Sequence, residues 1–432
     1  MLHSSSLLRL TVFRFVCAVC AGGYSAGPLA DGQDLSLAQA VEQALAGNPG
    51  LAEIRSRAEA LAAIPPQEGA LPDPTLSFGM LNVPTRSFNL QKEDMTMMEV
   101  GVSQTIPFPG KLALKEQAAE HEALAAASSV EEARLRLARE VRKAWWVLFY
   151  YDHALDVTGE TEKFLQQLVD IAQAKYKTGQ GTQQDVLMAQ LELSKLKDEK
   201  LELNGMRHTE NIQFNVLLNR KREITVQIPR QVEAKLPELT EADLQDRATR
   251  SNPLFAQRNN RLDAARTKVE LANKDYYPDL TVGSSYAFRQ NTPDGFTRSD
   301  FLSVNLSVTL PIYAQQKQAK AVDQRHSELL QEEYSAQDEH NKIQGEISAK
   351  AAEYQHGKVR LALFEHEIIP QAEQTVRSLM AGYQVSKTDF SDLLRAQTAL
   401  FQYQSQYWQA LAQTQQVLAE LTALVGEEPG RD

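Results

Sequence analysis

Four methionines, Met80, Met95, Met97 and Met98, fall close together in the sequence. Their thioether sulfurs are soft donors suited to a soft ion such as Cu(I). They are equally flexible apolar side chains that fill lipid-facing or loop packing, and this second reading is the stronger. Cys17 and Cys20 stand as C-x-x-C, a spacing used by redox pairs and by half-sites for metals. The eight histidines include no i,i+4 pair and no carboxylate cluster at ligand spacing, and His366 in FEHEIIP lacks the second histidine of H-E-x-x-H. No nucleophile–base constellation stands out. The residues point to neither an enzyme nor a bound cofactor.

Both cysteines lie in an N-terminal segment of special character. Arg9 and Arg14 flank short apolar runs, and FVCAVCAGG ends in small residues. Residues 1–26 read as an export signal with cleavage somewhere in 22–30. Two small apolar residues in a leader are then the simplest reading of the C-x-x-C. Lipidation of Cys20 after cleavage is the alternative, although Cys17-Ala18-Val19 matches a lipoprotein cleavage box poorly. The net charge of −11 argues against a nucleic-acid partner, which would need a basic face. The body has no run of 18 apolar residues that would make a membrane-spanning helix.

The elements that position everything else come in two copies. Asn48-Pro49 returns as Asn252-Pro253, Pro72-Asp73 as Pro278-Asp279, and Ser103 with Pro107 as Ser307 with Pro311. Tyr176, Asp185, Ala189 and Gln190 return as Tyr383, Asp392, Ala396 and Gln397. The landmarks keep their order at offsets of 204 to 207 residues, which marks an internal duplication. The first repeat is expected over 31–230 and the second over 231–426, with 427–432 a short polar tail.

Each repeat holds two alternating segments, predicted as strands at 75–81 and 97–106, then at 279–289 and 301–310. Such alternation fits either a soluble sheet or a transmembrane barrel, whose strands need about 9–11 residues. Between Lys111 and Thr178 there is no proline, and the only turn-like break is near Gly159. A helix of that length would reach roughly 100 Å. Leu393, Ala396, Leu400, Tyr403, Tyr407, Ala410, Thr414, Val417, Leu421 and Leu424 form a heptad seam. The first-copy seam starts at Val186, Ala189, Leu193 and Leu196, then decays at Lys200 and Arg207. Each repeat is therefore a two-stranded hairpin joined to a long antiparallel helical hairpin. Four strands cannot close a barrel, and open edges cannot face lipid. They must be buried in a soluble sheet or completed by other subunits, and three copies would supply twelve strands.

The chain resembles the TolC family of outer-membrane efflux proteins along nearly its whole length after the leader. The likeness rests on the duplication, on A-x-x-x-N-P at Ala44–Pro49, on the joint SQTIPFPGK at Ser103–Lys111, and on paired Y-x-x-G/S-x-x-x-x-x-D tips. With PDPTLSFGMLNVP and DMTMMEV, it is most similar to the CzcC-like heavy-metal branch. The resemblance implies a mostly α fold with a transmembrane β part. It implies a homotrimer, with a 12-stranded barrel in outer-membrane lipid and an α-helical tunnel crossing the periplasm. It further implies partnership with a periplasmic adaptor and an inner-membrane RND pump, and passive export of heavy-metal cations without catalysis. A duct serving drug efflux or type I secretion has the same build, and a soluble periplasmic coiled-coil scaffold is the reading of a different class.

The resemblance implies a periplasmic gate at the helix tips, where the family's acidic selectivity ring maps onto Asp392, with Asp185 its counterpart in the first copy. The next acidic position of the motif is Arg395 here, which departs from the pattern, and Asp389 lies three residues earlier. Each Asp also suits a helix-start cap. Adaptor docking maps onto the tips, at Gly179, Gly181 and Thr182 and at Ser386, Lys387 and Thr388. Their different residue types lead us to expect tips of different rigidity. Glu99, Ser103, Ser303, Asn305 and Ser307 are candidates for the lumen face of the strands.

Overall fold

Strand alternation, proline joint and uninterrupted helix follow one another as the sequence implies. The computed structural model describes residues 34–427. The leader, with Cys17 and Cys20, and all but the first residue of the tail lie outside them. The first half runs α1 (Leu37–Gly47), α2 (Pro49–Ala62), α3 (Pro65–Gly69), β1 (Thr75–Leu81), β2 (Met97–Ile106), α4 (Lys111–Lys177) and α5 (Gln183–Leu217). The second runs α6 (Glu241–Ser251), α7 (Pro253–Lys274), β3 (Leu280–Phe288), β4 (Phe301–Val308), α8 (Gln318–Leu363), α9 (Ile369–Gln384) and α10 (Phe390–Val425). The strands form one antiparallel sheet in the order β1-β2-β3-β4. β4 stops two residues short of its predicted end, just before Pro311, which has no N–H for a ladder.

The repeated Asn-Pro has a physical reason. Asn48 caps α2 by accepting from the N–H of Gly50 (2.9 Å) and Leu51 (3.2 Å), with Pro49 in the first helical position. Its amide then donates to the Leu217 carbonyl at the end of α5 (3.0 Å). Asn252 does the same in the second half, accepting from Leu254 N–H (2.8 Å) and donating to Leu424 O (2.7 Å). One side chain thus starts one helix and ties down the end of the returning arm. Asn252→Ala should cost about 1–2 kcal/mol for the cap alone, and more with the tether gone. Asn252→Asp keeps the acceptor and loses the amide donor, so it should melt between parent and Ala variant. Equal melting of the Asp variant and the parent would remove the tether from this account.

α4 passes Gly159 without a break and, at 67 residues, reaches about 100 Å. The apparent decay of the first seam is a change of chemistry. Ala189, Leu193 and Leu196 are buried, and further along α5 Lys200 pairs with Glu162 of α4 (2.6 Å) and Arg207 with Asp152. In the second seam, Thr414 bonds the Ala410 carbonyl (2.7 Å) and lies against Gly357, where a Cβ would come within 2.4 Å of its hydroxyl. The polar interruption marks a close approach of α8 and α10.

The corresponding arm of the second repeat differs from α4. A π turn at Phe364–Ile368 separates α8 from α9, directly before Pro370, which has no N–H to give the preceding turn. At mid-height Trp145, Trp146 and Phe149 form the centre of a core shared with Leu35, Phe214, Val226 and Ile228. The Trp145 indole donates to the Leu35 carbonyl (3.0 Å). Nearby, Glu420 of α10 accepts from Lys143 of α4 (2.6 Å) and pairs with Lys350 of α8 (2.7 Å). Burial pushes that carboxyl upward, but the two ammonium groups hold it below the usual carboxylate range.

Candidate functional site

The register divides the sheet into two faces of opposite character. Met98, Val100, Val102 and Ile106 of β2 share a face with Leu76, Phe78 and Met80 of β1. Val282, Tyr286 and Phe288 of β3 and Leu302, Val304, Leu306 and Val308 of β4 continue it. All are exposed, an apolar patch far larger than a water-facing surface carries. The other face is small or polar, with Ser77, Gly101, Ser103, Gly283, Ser303, Asn305, Ser307 and the carboxylate of Glu99. A Cβ on Gly101 would meet Ser77 Oγ at 2.8 Å and Ser285 Cβ at 3.1 Å, so the small residues on this face are packed against one another at that row. The four methionines do not form a donor set: Met80 and Met98 pair on the apolar face, whereas Met97 lies on the other and is buried.

At the strand–helix joint Lys111 is 6% exposed. Its ammonium donates to Tyr277 O (3.1 Å) and Asp279 Oδ1 (2.9 Å) and stands 3.4 Å from Asp275. Asp279 also accepts from the Phe108 N–H (2.8 Å), and the Phe108 ring stacks on Tyr277 at 4.4 Å. The first repeat's joint is thereby fastened to the entrance of β3 in the second. This contact had no local signal in the sequence, because its partners lie 168 residues apart.

The two helix tips share one backbone design. At the first, Gly179 takes φ +74°, Gly179 N–H donates to Tyr176 O and Gln180 N–H to Lys175 O. At the second, Ser386 takes φ +58°, Ser386 N–H donates to Tyr383 O and Lys387 N–H to Gly382 O. The difference between the tips is in side-chain packing instead. Gly181 leaves room for Lys175, while Thr388, at the equivalent place, needs Gly382 opposite and donates to Leu379 O (3.0 Å).

The acidic residues have separate local tasks. Thr182 and Asp185 form a reciprocal capping box (3.2 and 3.3 Å) at the start of α5. Asp389 is the N-cap residue of α10 without a side-chain cap bond, and Asp392 pairs with Arg395 one turn on. The contact that joins the tips is one the sequence did not single out. Lys175 of α4 donates to Tyr383 O (2.6 Å) and Ser386 Oγ (2.9 Å) and stands 4.5 Å above the Tyr383 ring. Tyr383 is 4% exposed, packs edge-on against Phe390, and has no partner for its hydroxyl. Burial first, and the charge of Asp185 second, push its phenol above the ordinary range. The repeat of Tyr176 as Tyr383 was the one trace of this contact in the sequence.

An antiparallel sheet with one largely apolar exposed face, carried on a helical arm of about 100 Å, is the build of an outer-membrane channel subunit. The family described as "Outer membrane efflux protein" matches residues 40–220 and 244–427, and the chain belongs to it. It resides in the outer membrane. Over 186 residues it is 25% identical to the cobalt-zinc-cadmium resistance protein CzcC of Cupriavidus metallidurans, covering 43% of this chain and 42% of that one. The chain thus spans under half the length of this curated relative. Its fold is that of VceC of Vibrio cholerae (TM-score 0.77, 17% identity, 90% of this chain and 96% of that one). It is equally that of CusC (TM-score 0.77, 16% identity, 91% and 93%).

Proposed function

We propose that three copies of this chain close a 12-stranded barrel and extend it as a helical tunnel into the periplasm. The assembly is a passive exit duct for heavy-metal cations. The observation that carries the reading is the sheet with one largely apolar exposed face, interrupted at Gln104 and Ser284, and an edge strand on each side, β1 and β4. Such edges are compatible with lipid only when further strands pair with them. In this reading the tips dock a periplasmic adaptor, through Gly179, Gly181 and Thr182 and through Ser386, Lys387 and Thr388, and an RND pump supplies the drive. Asp392, Asp389 and Asp185, repeated threefold, draw cations to the entrance, with Arg395 moderating Asp392. The similarity to a cobalt-zinc-cadmium resistance protein supports metals as cargo.

Deleting the gene should lower tolerance to cobalt, zinc and cadmium salts, and the intact chain should restore it. In detergent extracts, crosslinking should yield a trimer. A deletion strain sensitive to dyes and drugs but indifferent to metals would replace the cargo and leave the duct. A water-soluble monomer would end the reading.

A further inference from the structure

Among the described residues, Glu99 is the only ionisable side chain on the face that Ser77, Ser103, Ser303 and Asn305 share. It sits in one cross-strand row with Gly79, Ala287 and Phe301. That row lies toward the β1–β2 and β3–β4 loops, away from the helical arms. Space beside it is open, since a Cβ on Gly79 would meet nothing within 4 Å. Among the described residues no hydrogen bond or ion pair involves its carboxylate. Of the four cations in the loops at that end, Arg86, Lys92, Arg289 and Arg298, the last two are engaged elsewhere. Arg298 pairs with Asp94 and caps the carbonyls of Gln91 and Gln290. Arg289 donates to Ser299 O and Asp94 O, lies over the Phe301 ring at 4.2 Å, and its backbone N–H bonds Asp300. A carboxylate left unpaired on an otherwise uncharged face has its field directed into the space that face lines.

We infer that Glu99 is a charge-selecting residue of the barrel. Its three copies form a carboxylate ring at the outward end that favours passage of cations and holds back anions. The inference rests on the trimeric duct proposed above.

The test uses whole cells carrying Ser77→Cys, one row inward on the same face. Labelling rates are compared for two membrane-impermeant methanethiosulfonates, one bearing a trimethylammonium group and the other a sulfonate. The parent chain sets the background. The cationic reagent should react faster, and the ratio of the two rates should fall about tenfold when Glu99→Gln is added, a modest value for electrostatic focusing in a cleft. Glu99→Asp should retain the ratio, and about 1 M salt should abolish it because screening then acts within ~3 Å. A ratio unmoved by Glu99→Gln overturns the inference and leaves the duct standing. Failure of both reagents to reach Ser77→Cys overturns it too, because the ring would then face a sealed mouth. Labelling of Val102→Cys on the apolar face in place of Ser77→Cys removes the duct and the inference together.

Discussion

Lys111→Met should destabilise the folded channel by about 2–3 kcal/mol, the largest loss expected from a single polar side chain. Removing one partner of a buried ion pair costs about 3–5 kcal/mol, because the other charge is left behind without compensation. Here the cost falls at or just below the lower end of that range, since the stranded Asp279 side chain is 34% exposed and water relieves part of its charge. Methionine preserves most of the stem volume, so the loss reports the ammonium group rather than a cavity. The consequence goes beyond the pair. Lys111 starts α4, Tyr277 and Asp279 lead into β3, and Asp279 also holds the Phe108 backbone. Loosening the joint separates the first repeat's exit from the second repeat's entry. The measurement is thermal unfolding in detergent, alongside the yield of heat-resistant oligomer. Adding Asp279→Asn to Lys111→Met should recover part of the loss by neutralising the orphaned carboxylate. Parental stability in Lys111→Met would show that the joint is held by Phe108 and Tyr277 stacking alone.

The sequence made legible whatever repeats at short range. Alternation at 97–106 set both the limits of β2 and the two-faced wall, because side chains in a strand must alternate. The placement of Glu99, Ser103, Ser303, Asn305 and Ser307 on one face followed directly from it. What stayed hidden depends mostly on partners that lie on other elements, far away in the sequence. Lys200 and Arg207 read as the end of a seam because their partners, Glu162 and Asp152, lie on another helix. Ser386 read as a loss of glycine, yet it takes the left-handed conformation of Gly179 and makes the same turn. Lys175 carried no signal at all, since the groups it meets are a backbone carbonyl and a hydroxyl more than 200 positions away. The acidic tip residues were visible as residue types, but their ties to Thr182 and Arg395 are local and say nothing of a shared ring.

In the proposed duct the helix tips are the gate at the periplasmic end, so Lys175→Ala should loosen the two tips from each other and make the outer membrane leaky to a large polar antibiotic such as vancomycin. Lys175 supplies two charge-assisted hydrogen bonds to the second tip and a cation over the Tyr383 ring. Hydrogen bonds to a charged group contribute about 1.5–3 kcal/mol each when sheltered, and this ammonium is only half-buried, so about 2 kcal/mol per protomer is expected. Since 1.4 kcal/mol is a factor of ten, the separated arrangement should gain about thirtyfold in each subunit. The neighbouring Lys177 is the internal control, having the same charge on the same turn but an exposed side chain and, among the described residues, no hydrogen bond or ion pair to the second tip. Lys177→Ala should leave permeability at the parental level, which separates the contact from a change in tip charge. Tyr383→Phe supplies the second control. The hydroxyl it removes is buried without a partner, so its loss leaves the ring, the carbonyl and the Lys175 contact in place. Stability should hold or rise, because an unsatisfied buried hydroxyl is a cost in the folded state. Equal leakage from Lys175→Ala and Lys177→Ala would mean that the tips are held by the apolar contacts around Phe390 and Leu393, and that the lysine only decorates a junction already closed by packing.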